Sequence, residues 1–288
     1  MQYNKLITDV RQWFKINKID NAVVGYSGGI DSTTTIALLL HAGITVHAVL
    51  AEIDGQKRES DYSLDQLVNH YYQRYDLPPL SLNYINLPLP KKVLSPFLTM
   101  SDDVFNEAAL PIMRNAAFYG IAADIRSVGG SVIVVGTANF DEASFLGFWG
   151  KASDASQDFY PISHLHKSEV YDLAKELHVP YEIINATPSG DLQWSGDLND
   201  LKMIGCDYGT VEKIAKLAMD DKYMDIVTKI SEMPSPDKFV SNVLKNEFKY
   251  RIPFGQQHLY TKLEDFRTNY YNVVYQACKS FRDLDKSW

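Results

Sequence analysis

Residues 21–43, "NAVVGYSGGIDSTTTIALLLHAG", decide how this chain folds. Val23 and Val24 end a short apolar run that predicts a buried strand, and Asp31 to Leu40 has the pattern of a helix. Gly28 and Gly29 between them allow a sharp turn and a close backbone approach to a ligand. The free N–H groups at the helix start, backed by the helix dipole, suit an anion. Ser27, Ser32 and Thr33 add short hydroxyl donors. A glycine pair before a helix is also a plain strand-to-helix turn, so the pair alone leaves turn and phosphate site open. Asp31 has an ordinary reading as a helix N-terminal acid stabilised by the dipole.

Outward from this stretch, the first half alternates as βαβ units of a parallel sheet. Strands are predicted at 21–26, 45–50, 81–86 and 131–136, and helices at 2–17, 31–42, 60–75 and 104–128. Residues 137–161 have no clean period and are rich in Gly, Ser and Asp, which predicts a long, functional loop. A helix is expected over 165–177, stopped by Pro180. Another loop is expected over 187–205. The remainder reads as helical with a break at "EMPSPDK". Ligands of such sheets bind beyond the carboxyl ends of the strands, where the Gly-Gly loop falls.

The two common nucleotide loops are excluded, since neither G-x-x-x-x-G-K-[ST] nor G-x-G-x-x-G occurs here. What stands instead is Ser-Gly-Gly-x-Asp-Ser, with a carboxylate inside the loop. An acid beside phosphates needs an intervening cation, so Asp31 implies Mg²⁺. This loop resembles that of the ATP pyrophosphatase families, which release pyrophosphate from ATP and leave AMP on an acceptor oxygen. A second block narrows the resemblance. "VVGTANFDEASFLGFWGKASDASQDFYPISHLHKSEVYDLAKELHVP", then "ATPSGDL" and "NEFKYRIP", look like NAD synthetase in order and spacing over residues 21 to 253.

The resemblance implies an α/β fold, a Rossmann-like, adenine nucleotide α-hydrolase-like parallel sheet flanked by helices, with a helical C-terminal segment. Residues 1–253 would form the synthetase domain, and 254–288 a helical extension packed on the core or on a partner. It also implies adenylation of the nicotinate carboxylate of deamido-NAD by ATP, then attack by ammonia to give NAD and AMP. Asp31 and Glu142 match Mg²⁺ ligands. Ser27, Gly28, Gly29, Ser32, Thr137, Lys167 and Ser189 match the ATP side, with Asp31 and Lys167 taken as catalytic. Lys151, Asp158 and Lys249 match dinucleotide contacts. Family members are homodimers, and helix 104–128 would be the contact.

Each residue also has an ordinary reading. Glu142 is a loop acid, Lys151 and Lys167 are exposed lysines by default, and His164 and His166 read as surface histidines. Phe145, Phe148 and Trp149 suit either core packing or a base-stacking wall. The substrate side departs from the family. Leu110 and Ile112 stand where arginines are usual, with Arg114 one helical turn further on as a substitute or a structural ion-pair residue. Leu201, Met203 and Phe248 also depart. Two alternatives therefore stand beside the synthetase reading: the same chemistry on nicotinate mononucleotide or another small acid, or a nucleotide-binding regulatory protein without turnover.

Composition bounds the rest. The 288 residues are 45% hydrophobic and 22% charged, ordinary values for a soluble globular protein. A net charge of −8 argues against broad nucleic-acid binding. Cys206 and Cys278 form no CxxC or Cys/His cluster, which speaks against zinc, iron–sulfur or paired-thiol chemistry. No apolar run reaches the ~20 residues of a membrane span, and the N-terminus has no signal-peptide core, so a cytoplasmic protein is expected. The length leaves no room for a glutamine-hydrolysing domain, so free ammonia is the expected donor unless a separate subunit supplies it.

Overall fold

Strand β1 (Asn21–Gly25) is apolar because both of its faces are covered. Ala22 and Val24 join one core with α1 (Asn4–Asn17), α2 (Ile30–His41) and α3 (Leu64–Tyr75). Val23 turns to the other core, against Phe118 and Ala122 of α4 (Leu110–Ser127). That alternation is the two-residue period of a strand. With β2 (Thr45–Ile53), β3 (Leu82–Leu89) and β4 (Val132–Val135), it forms a parallel sheet in the order β3-β2-β1-β4. The computed structural model describes residues 3–53, 63–75, 81–89, 110–142, 153–186, 202, 204–245 and 272–284.

The chain lays β2 and β3 outward on one side of β1, then returns to add β4 on the other. Strand order thus reverses between β1 and β4, which opens a crevice beyond their carboxyl ends. Helix α2 is buried over almost its whole length, because it lies between the sheet, α1 and α5 (Lys167–Glu176). The "IALLL" run supplies the apolar surface for this all-round burial. Helix α6 (Tyr181–Ile184) follows Pro180, so the expected stop after α5 stands where proline sets it.

A second core is built mainly from helices. It unites α7 (Tyr208–Met219), α8 (Tyr223–Ser231), α9 (Pro236–Lys245) and α10 (Asn272–Leu284) around Ile226, Ile230, Phe239, Val274 and Cys278. Pro236 opens α9, a position where a missing N–H costs nothing, and this is the break expected at "EMPSPDK". Phe140, just beyond β4, is buried in this second core and ties it to the sheet.

The four predicted strands and the helices that flank them are present, and β2 and β3 run on to Ile53 and Leu89. Residues 60–62 and 104–109 of two predicted helices lie outside the described residues, as does the boundary at 253. Among the described residues no helix is long and apolar enough to cross a membrane.

Candidate active site

The Gly-Gly loop leaves β1 and enters α2 with Gly28 at φ 86°, in the left-handed region where a side chain is strained. The loop is bonded to itself. The Gly29 N–H donates to Ser27 Oγ at 3.1 Å, the Ser27 N–H donates to Ser32 Oγ at 3.3 Å, and Ser32 Oγ donates to the Gly29 carbonyl at 3.1 Å. Thr33 Oγ1 donates to the same carbonyl at 2.9 Å. These bonds fix the turn and aim the start of α2 at the crevice. An anion there would meet N–H groups now satisfied by small hydroxyls, which can rotate away cheaply.

Across the strand reversal, the turn after β4 brings up the second set of groups. Asn139 is fully buried, donates from Nδ2 to Asp31 Oδ1 at 2.9 Å, and accepts the Glu142 N–H on Oδ1 at 3.1 Å. One amide therefore holds the Asp31 carboxylate and the backbone that carries Glu142. Lys167, the first residue of α5, reaches them from a third direction, with Nζ 2.5 Å from Asp31 Oδ2 and 3.0 Å from Glu142 Oε1. Lys167 is only 4% exposed. Burial works against its charge, but the two carboxylates more than offset that and hold its ammonium well above the ordinary lysine range.

Asp141 anchors this arrangement from behind. It is fully buried, takes the Lys167 N–H on Oδ2 at 2.8 Å, and lies 2.8 Å from His166 Nδ1 through Oδ1. Glu169 reaches back to the His166 N–H at 2.8 Å, so two acids satisfy donors at the N-terminus of α5. For His166, burial favours the neutral ring, yet the bond to Asp141 and its charge raise the pKa overall. His166 is therefore not a surface histidine: its side chain is 12% exposed and locked to Asp141, whereas His164 is exposed. Helical spacing could not anticipate this, because the partner lies 25 residues earlier in a turn.

Asp31 and Glu142 converge on a single cation, and both are hard oxygen donors. That set fits Mg²⁺, which is typically held by one or two carboxylates together with substrate phosphates. Among the described residues no group of three or more His, Cys, Asp or Glu side chains could enclose a metal by itself. A site completed by phosphate oxygens is the arrangement these two acids allow.

Thr137 is half-buried just past β4, on the same rim. Asp158 lies beside the strand, where its Oδ2 accepts the Val134 N–H at 2.8 Å and its Oδ1 lies 3.0 Å from the Tyr119 hydroxyl. Its carboxylate thus also knits β4 to α4. Leu110 is buried and Ile112 is 45% exposed on α4, with Arg114 half-buried on the same helix. Lys151, Ser189 and Lys249 lie outside the described residues, as do Phe145, Phe148, Trp149, Leu201, Met203 and Phe248. Burial pushes the Cys206 thiol up to about 12 and raises Cys278 as well, so neither is a thiolate at neutral pH.

Asn139, Asp141 and Tyr208 had no role assigned from sequence. Tyr208 donates to Glu142 Oε1 at 3.3 Å, and its ring centroid lies 4.8 Å from Lys167 Nζ. Asn139 and Asp141 stood in the quoted "TANFDE" stretch, where polar residues alternate around Phe140. Tyr208, 66 residues from Glu142, left no local signal.

Comparison with known proteins identifies a family and a shared fold. The family model described as NAD synthase matches residues 2–253. An NH(3)-dependent NAD(+) synthetase of Sulfurisphaera tokodaii is 28% identical over 255 residues, covering 86% of this chain and 85% of that protein. Among solved structures, NMN synthetase from Francisella tularensis (TM-score 0.66, 20% identity) and NH3-dependent NAD synthetase from Campylobacter jejuni (TM-score 0.60, 21% identity) each cover 86% of this chain and 94% of their own, and share its fold. With most of its length matched by that family model, the chain belongs to the NAD synthase family.

Proposed function

We propose that this chain is an ammonia-dependent NAD synthetase, an ATP-using ligase that amidates the nicotinate carboxylate of deamido-NAD. The observation that carries the proposal is the convergence of Asp31, Glu142 and Lys167 at the strand reversal of a chain belonging to this family. The matching relatives named NH(3)-dependent NAD(+) synthetase favour this acceptor over the alternatives.

In the reaction, a carboxylate oxygen attacks the α-phosphorus of ATP, the bond to the β-phosphoryl oxygen breaks, and pyrophosphate leaves. The lone pair of ammonia then attacks the acyl carbon, AMP departs with the bonding electrons, and nitrogen loses a proton. No step requires a protein nucleophile, so positioning and electrostatics carry the catalysis. The N-terminus of α2, with Ser27, Gly28, Gly29 and Ser32, receives phosphate charge. Thr137, and Ser189 further along the chain, complete the ATP side. Asp31 and Glu142 would hold Mg²⁺, which supplies charge neutralisation for the phosphates. Lys167 provides a fixed positive charge that needs no reorganisation as charge builds on the departing pyrophosphate. Lys151, Asp158, Lys249 and Arg114 are assigned to the dinucleotide.

A homodimer that meets along α4, in the cytoplasm, goes with this assignment. Residues 1–253 would be the synthetase domain and 254–288 its extension, in keeping with the extent of the family match.

The test is a product assay with ATP, Mg²⁺, ammonium and deamido-NAD. NAD and AMP in equal amounts support the proposal. Absence of both from a protein that still binds ATP would refute it.

A further inference from the structure

The described site includes one side chain that no phosphate or metal argument requires. Tyr208 opens α7, capped by Asp207, whose Oδ1 accepts the Thr210 N–H at 2.8 Å. Its hydroxyl donates to Glu142 Oε1, the oxygen that also accepts Lys167 Nζ, and its ring lies against that same ammonium. One turn along α7, Glu212 Oε2 accepts a hydrogen bond from Ser168 Oγ at 2.7 Å. Residues four apart lie on one helix face, so α7 grips the start of α5 at two consecutive residues, Lys167 and Ser168. The adjoining face of α7, with Val211, Ile214, Ala215 and Ala218, is buried in the helical core, and Tyr208 packs against the edge of that core.

We propose that Tyr208 is a positioning residue of the amidation reaction, which holds Lys167 and Glu142 in register and ties the helical module to the nucleotide site. This rests on the assignment of Glu142 and Lys167 above. The ring face attracts the buried ammonium, while the hydroxyl fixes the rotamer of the carboxylate; the two contacts act on different partners and separate by mutation.

The experiment compares Tyr208→Phe, Tyr208→Leu and Glu142→Gln in the full chain. Three quantities are followed: kcat, the Mg²⁺ concentration giving half-maximal rate, and Mn²⁺ affinity in the presence of a non-cleavable ATP analogue. Tyr208→Phe keeps the ring, so the Mg²⁺ requirement rises and Mn²⁺ affinity falls by about fivefold each, with a smaller change in kcat. Tyr208→Leu removes the ring as well and lowers kcat by a further factor of about five. Thermal melts of Tyr208→Phe stay close to those of the parent. Equal Mg²⁺ requirement and Mn²⁺ affinity in Tyr208→Phe and the parent, while Glu142→Gln shifts both, would overturn the role of Tyr208 alone. If Glu142→Gln shifts neither, the metal assignment fails and the role of Tyr208 fails with it.

Discussion

The sheet and the helical module serve the site in different ways. At the carboxyl ends of β1 and β4, Asp31 and Glu142 lie a few residues beyond the strands, with Gly28 and Asn139 in the turns that carry them, and Lys167 joins them from the start of α5. The helical module sends in Tyr208 from a distant segment and receives Phe140 into its own core. Chemistry sits on the sheet; alignment comes from the packing between the two. Changes at the sheet ends should therefore strike turnover directly, whereas changes in the module reach it through Tyr208, Glu212 and Phe140.

The sharpest test of this contrast is Asp31→Asn. Removing one charge from the sheet-end cluster is expected to cut NAD formation by about a hundredfold or more, as for loss of a preorganised electrostatic contact. Steady-state rates at saturating ATP measure it, and near-normal turnover would break the contrast at its centre. Lys167→Met comes next. It leaves two carboxylates facing each other in a nearly buried site, and about 3 kcal/mol of stability should be lost. Urea midpoints measured with and without Mg²⁺ check this: added Mg²⁺ should restore part of the loss in the variant. No effect of Mg²⁺ would mean that the two acids do not share a cation.

Asp141→Asn is the third in size. It removes the charge that meets His166 and the Lys167 N–H, and should cost about 2 kcal/mol, again read from the urea midpoint. The module-side counterpart is Val274→Ala in α10, fully buried in the helical core. It should cost about 2 kcal/mol in the same measurement. KM for ATP should stay within about twofold of the parent, because the site is remote from this change. A large rise in KM would show that the module is coupled to the nucleotide more tightly than these few contacts imply.

The sheet was legible in the sequence because strand and helix periods are local. Val23 and Val24, the glycine pair and the "IALLL" run each announce their element within a few residues. Asp31, Glu142 and Lys167 stand out because their surroundings match a known family, and folding brings these three into contact, while Thr137 and Asp158 fall on the rim and beside β4. What sequence could not supply were partners fixed only by folding. Asp141 reads as a loop acid until α5 arrives with its unsatisfied N–H groups. His166 reads as a surface histidine until Asp141 is placed beside it. Tyr208 is one apolar-face residue of an amphipathic helix until α7 docks on α5.

If this site makes an acyl adenylate of deamido-NAD, the protein exchanges pyrophosphate with ATP before any ammonia is present. ATP–pyrophosphate exchange, measured with Mg²⁺ and without ammonium, tests it most directly. Exchange is expected to require deamido-NAD and to disappear in Asp31→Asn. Exchange absent with deamido-NAD but driven by nicotinate mononucleotide would contradict it.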